Sequence, residues 1–394
     1  MHSRSNSFPI VLFMLSFTTV TGMLVTPALP TISGLLNIDA SQSNALMTMF
    51  LVGFGLGQLP FGPLANKLGR KKALIIGVTI SLIGSLIQVW GVFASQIDLL
   101  LIGRFMSAFG GAAGSVVAIL LVTDVCTEHE ARKTMSSLVL FFAILPSVTI
   151  FVGAQIVQNT DWSALFWLAV IINILAFFLC FVIRETASET KLNQQGDSKN
   201  IFASFWALLR VKSYLNYVLI FSIGAIICFL FSSLAPVLAI EGLKISASKF
   251  GELSLITSLG MLVGAYLSGR LSDRFNGDVL LAVAIAGVLI SNIVVVALFQ
   301  FYELNWATLY IPAFVFFACS AVIMSNGPIL ALYQVEDTAS GTSLMNAANL
   351  LIASSMVWLG GYFIKHTALI LPLILIVAAI MGIFLLVSQS KARR

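Results

Sequence analysis

Apolar residues arrive in this chain in runs about as long as a bilayer is thick, and they recur almost without pause from end to end. A membrane-spanning helix needs about 20 such residues. Windows of that kind fall at 9–32, 44–65, 73–94, 99–122, 134–157, 163–183, 214–240, 250–271, 279–300, 306–332, 341–364 and 369–388, twelve in all. In hydrocarbon every backbone N–H and C=O must be paired within the protein, so windows of this length predict helices. With 59% hydrophobic and only 9% charged residues, the composition points away from water-soluble classes. The first window is long for a cleavable leader, and Pro27 and Pro30 lie at its end, so it reads as a retained span.

Charge then orients the spans. The longest polar interruption, 184–212, divides the windows six and six, giving an N-terminal unit 1–183, a connector 184–212 and a C-terminal unit 213–394. If both termini are cytoplasmic, seventeen of the 21 Lys and Arg residues fall in tails and loops on the inner side and three outside, as the positive-inside rule requires. The net charge of +5 therefore reflects loop placement and not a nucleic-acid surface. The four cysteines are scattered and the three histidines lie at or beyond span ends, so neither a disulfide framework nor a metal site is read. No phosphate-binding loop is present, which excludes ATP as the energy source. No cofactor is expected; the surroundings are lipid, and the expected state is a monomer.

One turn is unusually informative. Gly62-Pro-Leu-Ala-Asn-Lys-Leu-Gly-Arg-Lys-Lys72 packs four cations between two apolar windows, framed by Gly62 and Gly69. A related pattern, Gly269-Arg-Leu-Ser-Asp-Arg-Phe-Asn-Gly277, returns 207 residues later. A Gly-framed basic turn once per half reads as duplication of a membrane unit. Within the windows, Gly53/Gly57, Gly110/Gly114 and Gly260/Gly264 are small-residue pairs at the spacing that permits close helix contact.

Further motifs follow in a fixed order. Thr26-Pro-Ala-Leu-Pro30 closes the first window and Gly55-Leu-Gly-Gln58 leads into the basic turn. Gly103-Arg-Phe105 opens the fourth window, with Asp124 at its end, and Asp161-Trp-Ser-Ala-Leu-Phe-Trp167 opens the sixth. Ser325-Asn326 and Ala339-Ser-Gly-Thr342 follow in the second half. In this order the chain resembles the twelve-span drug:H+ antiporters of the major facilitator superfamily, in the bicyclomycin-resistance branch. The resemblance implies an all-α membrane protein of twelve transmembrane helices in two six-helix bundles around a central cavity. It also implies export driven by inward proton flow across a bacterial inner membrane. In the superfamily the basic turn gates the inner face, which assigns a gating role to Gly62, Asn66, Gly69, Arg70, Asp124, Asp273 and Arg274.

The chain departs from that pattern at several positions. Met23 stands where the branch has an aspartate, and Asn66 replaces the turn's acid. Ile150 and Ala154 replace the second proline and second glycine of the antiporter motif that begins at Pro146 and Gly153. The losses bear on proton coupling and leave the fold untouched.

Apart from Arg270 at the very edge of its window, Arg104 is the one cation inside a window, and a buried cation needs water, a partner or backbone carbonyls. It either braces the bundle on carbonyls of a neighbouring span or serves the transport cycle, for instance by holding an anion. Ser107, Gly111 and Ser115 share its helical face. Thr342, Asn346 and Asn349 form a similar polar stripe that either lines the cavity or bonds a neighbouring helix. Met23, Thr26, Phe142, Phe229 and Asn326 complete the expected cavity lining. The expected function is secondary active transport of a small organic molecule by alternating access, with protons as the candidate coupling ion. Two alternatives are a proton-independent or uptake carrier for an organic anion such as a carboxylate metabolite or siderophore, and a membrane sensor that transports nothing.

Overall fold

The computed structural model describes residues 8–125, 128–183, 185, 201–272, 274–301, 305–364, 367 and 369–392. Among the described residues the chain is all helical, and eleven helices are long and apolar enough to cross a membrane. The first half contributes α1 (Phe8–Met23), α2 (Leu29–Leu35), α3 (Ala40–Leu68), α4 (Arg70–Ala94), α5 (Ile97–Val125), α6 (Glu128–Asn159) and α7 (Ser163–Val182). After the connector come α8 (Ile201–Leu208), α9 (Lys212–Pro236), α10 (Ala247–Leu271), α11 (Gly277–Phe301), α12 (Trp306–Leu332), α13 (Thr338–Phe363) and α14 (Ile370–Ala392). The expected span 134–157 lies within α6, whose described apolar stretch, Ile144–Asn159, is shorter than the others.

Local chemistry sets where the helices begin and break. The Asp39 carboxylate accepts from Gln42 N at 3.0 Å and the Gln42 side chain returns a bond to Asp39 N at 3.1 Å, a reciprocal cap for α3. Asn305 caps α12 in the same way, and Asp337 caps α13. The first apolar window is not one helix. α1 stops at Met23, a 3-10 turn spans Thr26–Ala28, and α2 resumes at Leu29, because Pro27 and Pro30 have no N–H to give. In the second half α9 ends at Pro236 and runs into a π-helical segment, Val237–Gly242.

Glycine lets the helices approach at backbone distance, as the small-residue spacings predicted. A Cβ on Gly57 would lie 2.7 Å from the Ala112 methyl, and one on Gly264 would lie 2.7 Å from the Ala318 carbonyl carbon. Helices of the two halves meet along two seams, α3 against α13 and α6 against α10. Across them runs one contiguous apolar cluster that joins Met23, Met47, Phe50, Leu51, Ala108 and Ile150 of the first half to Phe231, Phe250, Leu350 and Val357 of the second.

Candidate functional site

The basic turn between α3 and α4 lies at one end of the helices, and the turn between α4 and α5 lies at the other, the far end. Near the far end, in the third turn of α5, Arg104 is buried, 4% exposed. Its guanidinium forks onto α1, donating from Nη1 to Thr21 O at 3.0 Å and from Nη2 to Gly22 O at 2.7 Å. Those carbonyls are available because α1 ends at Met23, and the last carbonyls of a helix lose their intrahelical donors. The Phe50 ring lies 5.2 Å from the guanidinium carbon and packs on the bare backbone of Gly22. Arg104 Nε has no partner among the described residues. The cation is thus held by backbone dipoles and one aromatic face.

The remaining sequence-predicted positions fall into smaller groups. Met23 is 1% exposed in the apolar cluster that joins the halves, and the buried Thr26 hydroxyl lacks a partner among the described residues. Ser107 is buried; its carbonyl accepts from Ser81 Oγ at 2.8 Å. Ser115 Oγ donates to Ala112 O at 2.9 Å and accepts from Gln58 Nε2 at 3.2 Å. Phe229 packs against the edge of the apolar cluster. Asn326 Nδ2 donates to Ser268 Oγ and Val322 O, both at 2.9 Å. On α13, Asn346 is half-buried, while Asn349 is 7% exposed with an Oδ1 that finds no partner among the described residues. The side chain of Phe142 lies outside the described residues.

At the far end the halves are tied by uncharged groups that the sequence did not single out. Asn44 of α3 donates from Nδ2 to Val357 O of α13 at 3.1 Å and accepts from Ser233 Oγ of α9. On the other seam Gln155 Nε2 donates to Ser248 Oγ at 2.8 Å and the Ser147 and Thr257 hydroxyls meet at 3.2 Å. A glycine at 361 leaves room for the Asn44 amide, since a Cβ there would lie 2.9 Å from Asn44 Cγ.

The basic turn is built around a single residue. Gly69 has φ +93°, a conformation that disfavours side chains, and it alone separates α3 from α4. The first backbone amides of α4 point at Glu185, just past α7: Arg70 N donates to Oε1 at 2.9 Å and Lys71 N to Oε2 at 3.1 Å. A carboxylate at a helix N-terminus satisfies orphan donors and opposes the helix dipole. Arg70 folds back, donating from Nη1 to Ala65 O at 2.9 Å, and Lys71 Nζ reaches Phe181 O at 2.9 Å. Gly62 faces α13, where a Cβ would sit 3.9 Å from Ser343 Oγ. The side chains of Asn66 and Asp124, and Asp273 as a whole, lie outside the described residues; Arg274 is exposed in the second basic turn.

The profile described as Major Facilitator Superfamily matches residues 11–355. An uncharacterized transporter of Rickettsia felis is 30% identical over 268 residues, 67% of this chain and 64% of that protein. The chain thus spans slightly less than two thirds of that relative's length. A bicyclomycin resistance protein homolog of Haemophilus influenzae is 26% identical over 82% of this chain and 80% of its own. The multidrug resistance protein MdtL of Shewanella oneidensis is 23% identical over 92% of this chain and 90% of its own. Among solved structures, a D-xylose-proton symporter superposes with TM-score 0.73 at 16% identity, covering 97% of this chain and 94% of that one.

Proposed function

Because the chain belongs to the major facilitator superfamily, and is therefore a multi-pass membrane transporter and not an enzyme, we propose that it exports small organic molecules by alternating access. The proposal makes residues 1–183 and 213–394 two six-helix bundles and puts both tails and the connector in the cytoplasm of a bacterium, under the inner membrane. The far end then faces outward. The observation that carries the reading is the closure of that end by an apolar cluster and uncharged hydrogen bonds between the halves. A carrier closed there is in the state in which an exporter loads its cargo from the cytoplasm. The printed names of the Haemophilus and Shewanella relatives, which concern drug resistance, agree with that direction.

Two observations bear on what drives the cycle and what is carried. Among the described residues every acid lies outside the helices or within about two turns of a helix end, and position 23 is a methionine packed in apolar surroundings. A proton-linked cycle therefore draws on carboxylates near the faces, and a proton-independent carrier is the second reading. The organic-anion reading is weaker, because two of the guanidinium nitrogens of Arg104 are already committed to carbonyls.

The test is accumulation of a compound panel in inside-out vesicles. Export predicts saturable uptake of at least one compound and a higher growth-inhibitory concentration in an efflux-deficient host. Collapse of uptake by a protonophore marks proton linkage, and indifference to it selects the second reading. If no compound accumulates, the export proposal falls.

A further inference from the structure

On the orientation proposed above, with the basic-turn end in the cytoplasm, we propose that the second half carries two docking sites for anionic phospholipid of the inner leaflet. One is Arg210 with Trp206 on α8, and the other is Arg270 with Tyr266 on α10.

The two pairs share one design. In each, the arginine follows its ring by four residues, about one helical turn. The guanidinium carbon lies 5.8 Å from the Trp206 ring centre and 4.9 Å from that of Tyr266. Trp206 is 61% exposed and Tyr266 58%, and both arginines are exposed. Among the described residues neither guanidinium has a carboxylate partner. Arg104 and Arg70, in contrast, donate to backbone carbonyls.

The α10 pair ends a stripe graded like a leaflet. Leu259, Val263, Tyr266 and Arg270 recur at i, i+4, i+7 and i+11, and all four are exposed. Leu259 stands at the middle of α10, and from there to Arg270 the helix climbs about 16 Å. Half the hydrocarbon core of a bilayer is about 15 Å thick. Aliphatic, aromatic and cationic side chains thus follow one another as acyl chain, interface and headgroup do. The ring marks the interface, and the guanidinium one turn beyond it meets phosphates, which it can bind with two parallel N–H bonds.

The α8 pair arrives at the same level from the connector. Leu208 belongs to the apolar cluster and Phe205 packs against it, so this flank of α8 is docked on the bundle, beside α13. Trp206 and Leu209, on the other flank, are apolar and exposed. Lys212 opens α9 two residues after Arg210, which puts the pair where a span enters the membrane. Arg210 and the exposed Lys212 give this site two cations, and at the other Arg270 and Arg274 outnumber Asp273. An apolar flank beside unpaired cations suits a molecule that is both apolar and negative. A zwitterionic lipid would bring a cation of its own to the site.

The test is native mass spectrometry of the detergent-purified full chain, titrated with phosphatidylglycerol, phosphatidylcholine of the same acyl chains, or glycerol phosphate. Phosphatidylglycerol should bind in preference to the other two. Arg210→Gln and Arg270→Gln should each weaken one site about fivefold, the equivalent of about 1 kcal/mol for a cation near an anionic surface. The double variant should lose the preference, whereas Lys249→Gln, an exposed cation at the far end, should keep it. Phosphatidylglycerol carrying a photoreactive headgroup should label 206–212 and 266–274. Equal binding of the two lipids, equal binding of glycerol phosphate, an unchanged preference in the double variant, a matching loss in Lys249→Gln, or labelling confined to other segments would overturn the proposal. Binding in detergent does not depend on transport. If phosphatidylglycerol binds as expected and no compound is exported, the export reading falls and these sites stand.

Discussion

Removing the Asn44 side chain should open the far end. Asn44→Ala deletes the 3.1 Å bond to Val357 O and the bond from Ser233 Oγ, both of which link the first half to the second. Each hydrogen bond contributes about 0.5–1.5 kcal/mol net, so the closed arrangement loses about 1–3 kcal/mol. The open arrangement has neither bond and loses nothing. A difference of about 1.4 kcal/mol changes the ratio of two conformers about tenfold. We predict a shift of about five- to 150-fold toward the far-end-open state. It would be read from distances between spin labels at Thr160 and Lys244, which are exposed at that end in opposite halves. Ser233→Ala should give a smaller shift, and the double variant should fall short of the sum, because the two residues share one bond. If monodisperse Asn44→Ala and Ser233→Ala proteins keep the wild-type distance distribution, the clasp does not hold this end closed.

Three further outcomes follow from the contacts above. Arg104→Ala should reduce vesicle uptake more than tenfold, and Arg104→Lys should rescue it poorly, since an ammonium cannot fork across the Thr21 and Gly22 carbonyls as the guanidinium does; normal uptake in the alanine variant would refute a role in transport. Glu185→Gln should lower the unfolding temperature through loss of charge at the start of α4, a cost of about 0.3–1 kcal/mol, and an unchanged melting curve would show that the cap is energetically idle. Gly264→Val should fail to accumulate or melt early, because even a Cβ would lie 2.7 Å from the Ala318 carbonyl carbon, whereas Gly269→Ala, with open space around it, should be silent.

The run of the long helices was legible because span length is a property of hydrocarbon thickness, and the apolar windows coincide with α3, α4, α5 and α7 to within a few residues. Interruption inside a window was harder to read. The break between Met23 and Leu29 leaves the Thr21 and Gly22 carbonyls to Arg104, a contact between residues more than eighty positions apart. Glu185 was missed for the same reason, since nothing local to a polar connector says that its carboxylate ends on α4. α8, eight residues long, was hidden because it is too short for a span and sits in a stretch read as polar. Asn44 and Gln58 each stand in an apolar window, and their partners across helices are invisible to periodicity. The turn at Gly69 was legible, because a glycine set among cations between two apolar runs marks where the chain must leave the hydrocarbon and reverse.

The apolar cluster around Met23, Met47 and Phe50 also has an electrical meaning. Where water reaches a carrier from one face only, the transmembrane voltage is concentrated on the thin dry layer that remains, and that layer behaves as the dielectric of a capacitor. Moving one elementary charge through it takes about 2.3 kcal/mol per 100 mV, the same work as crossing the whole bilayer. A cargo without charge does no such work. Its exchange across this layer should be set by concentration alone, so that net movement of a neutral cargo by itself leaves the membrane potential untouched.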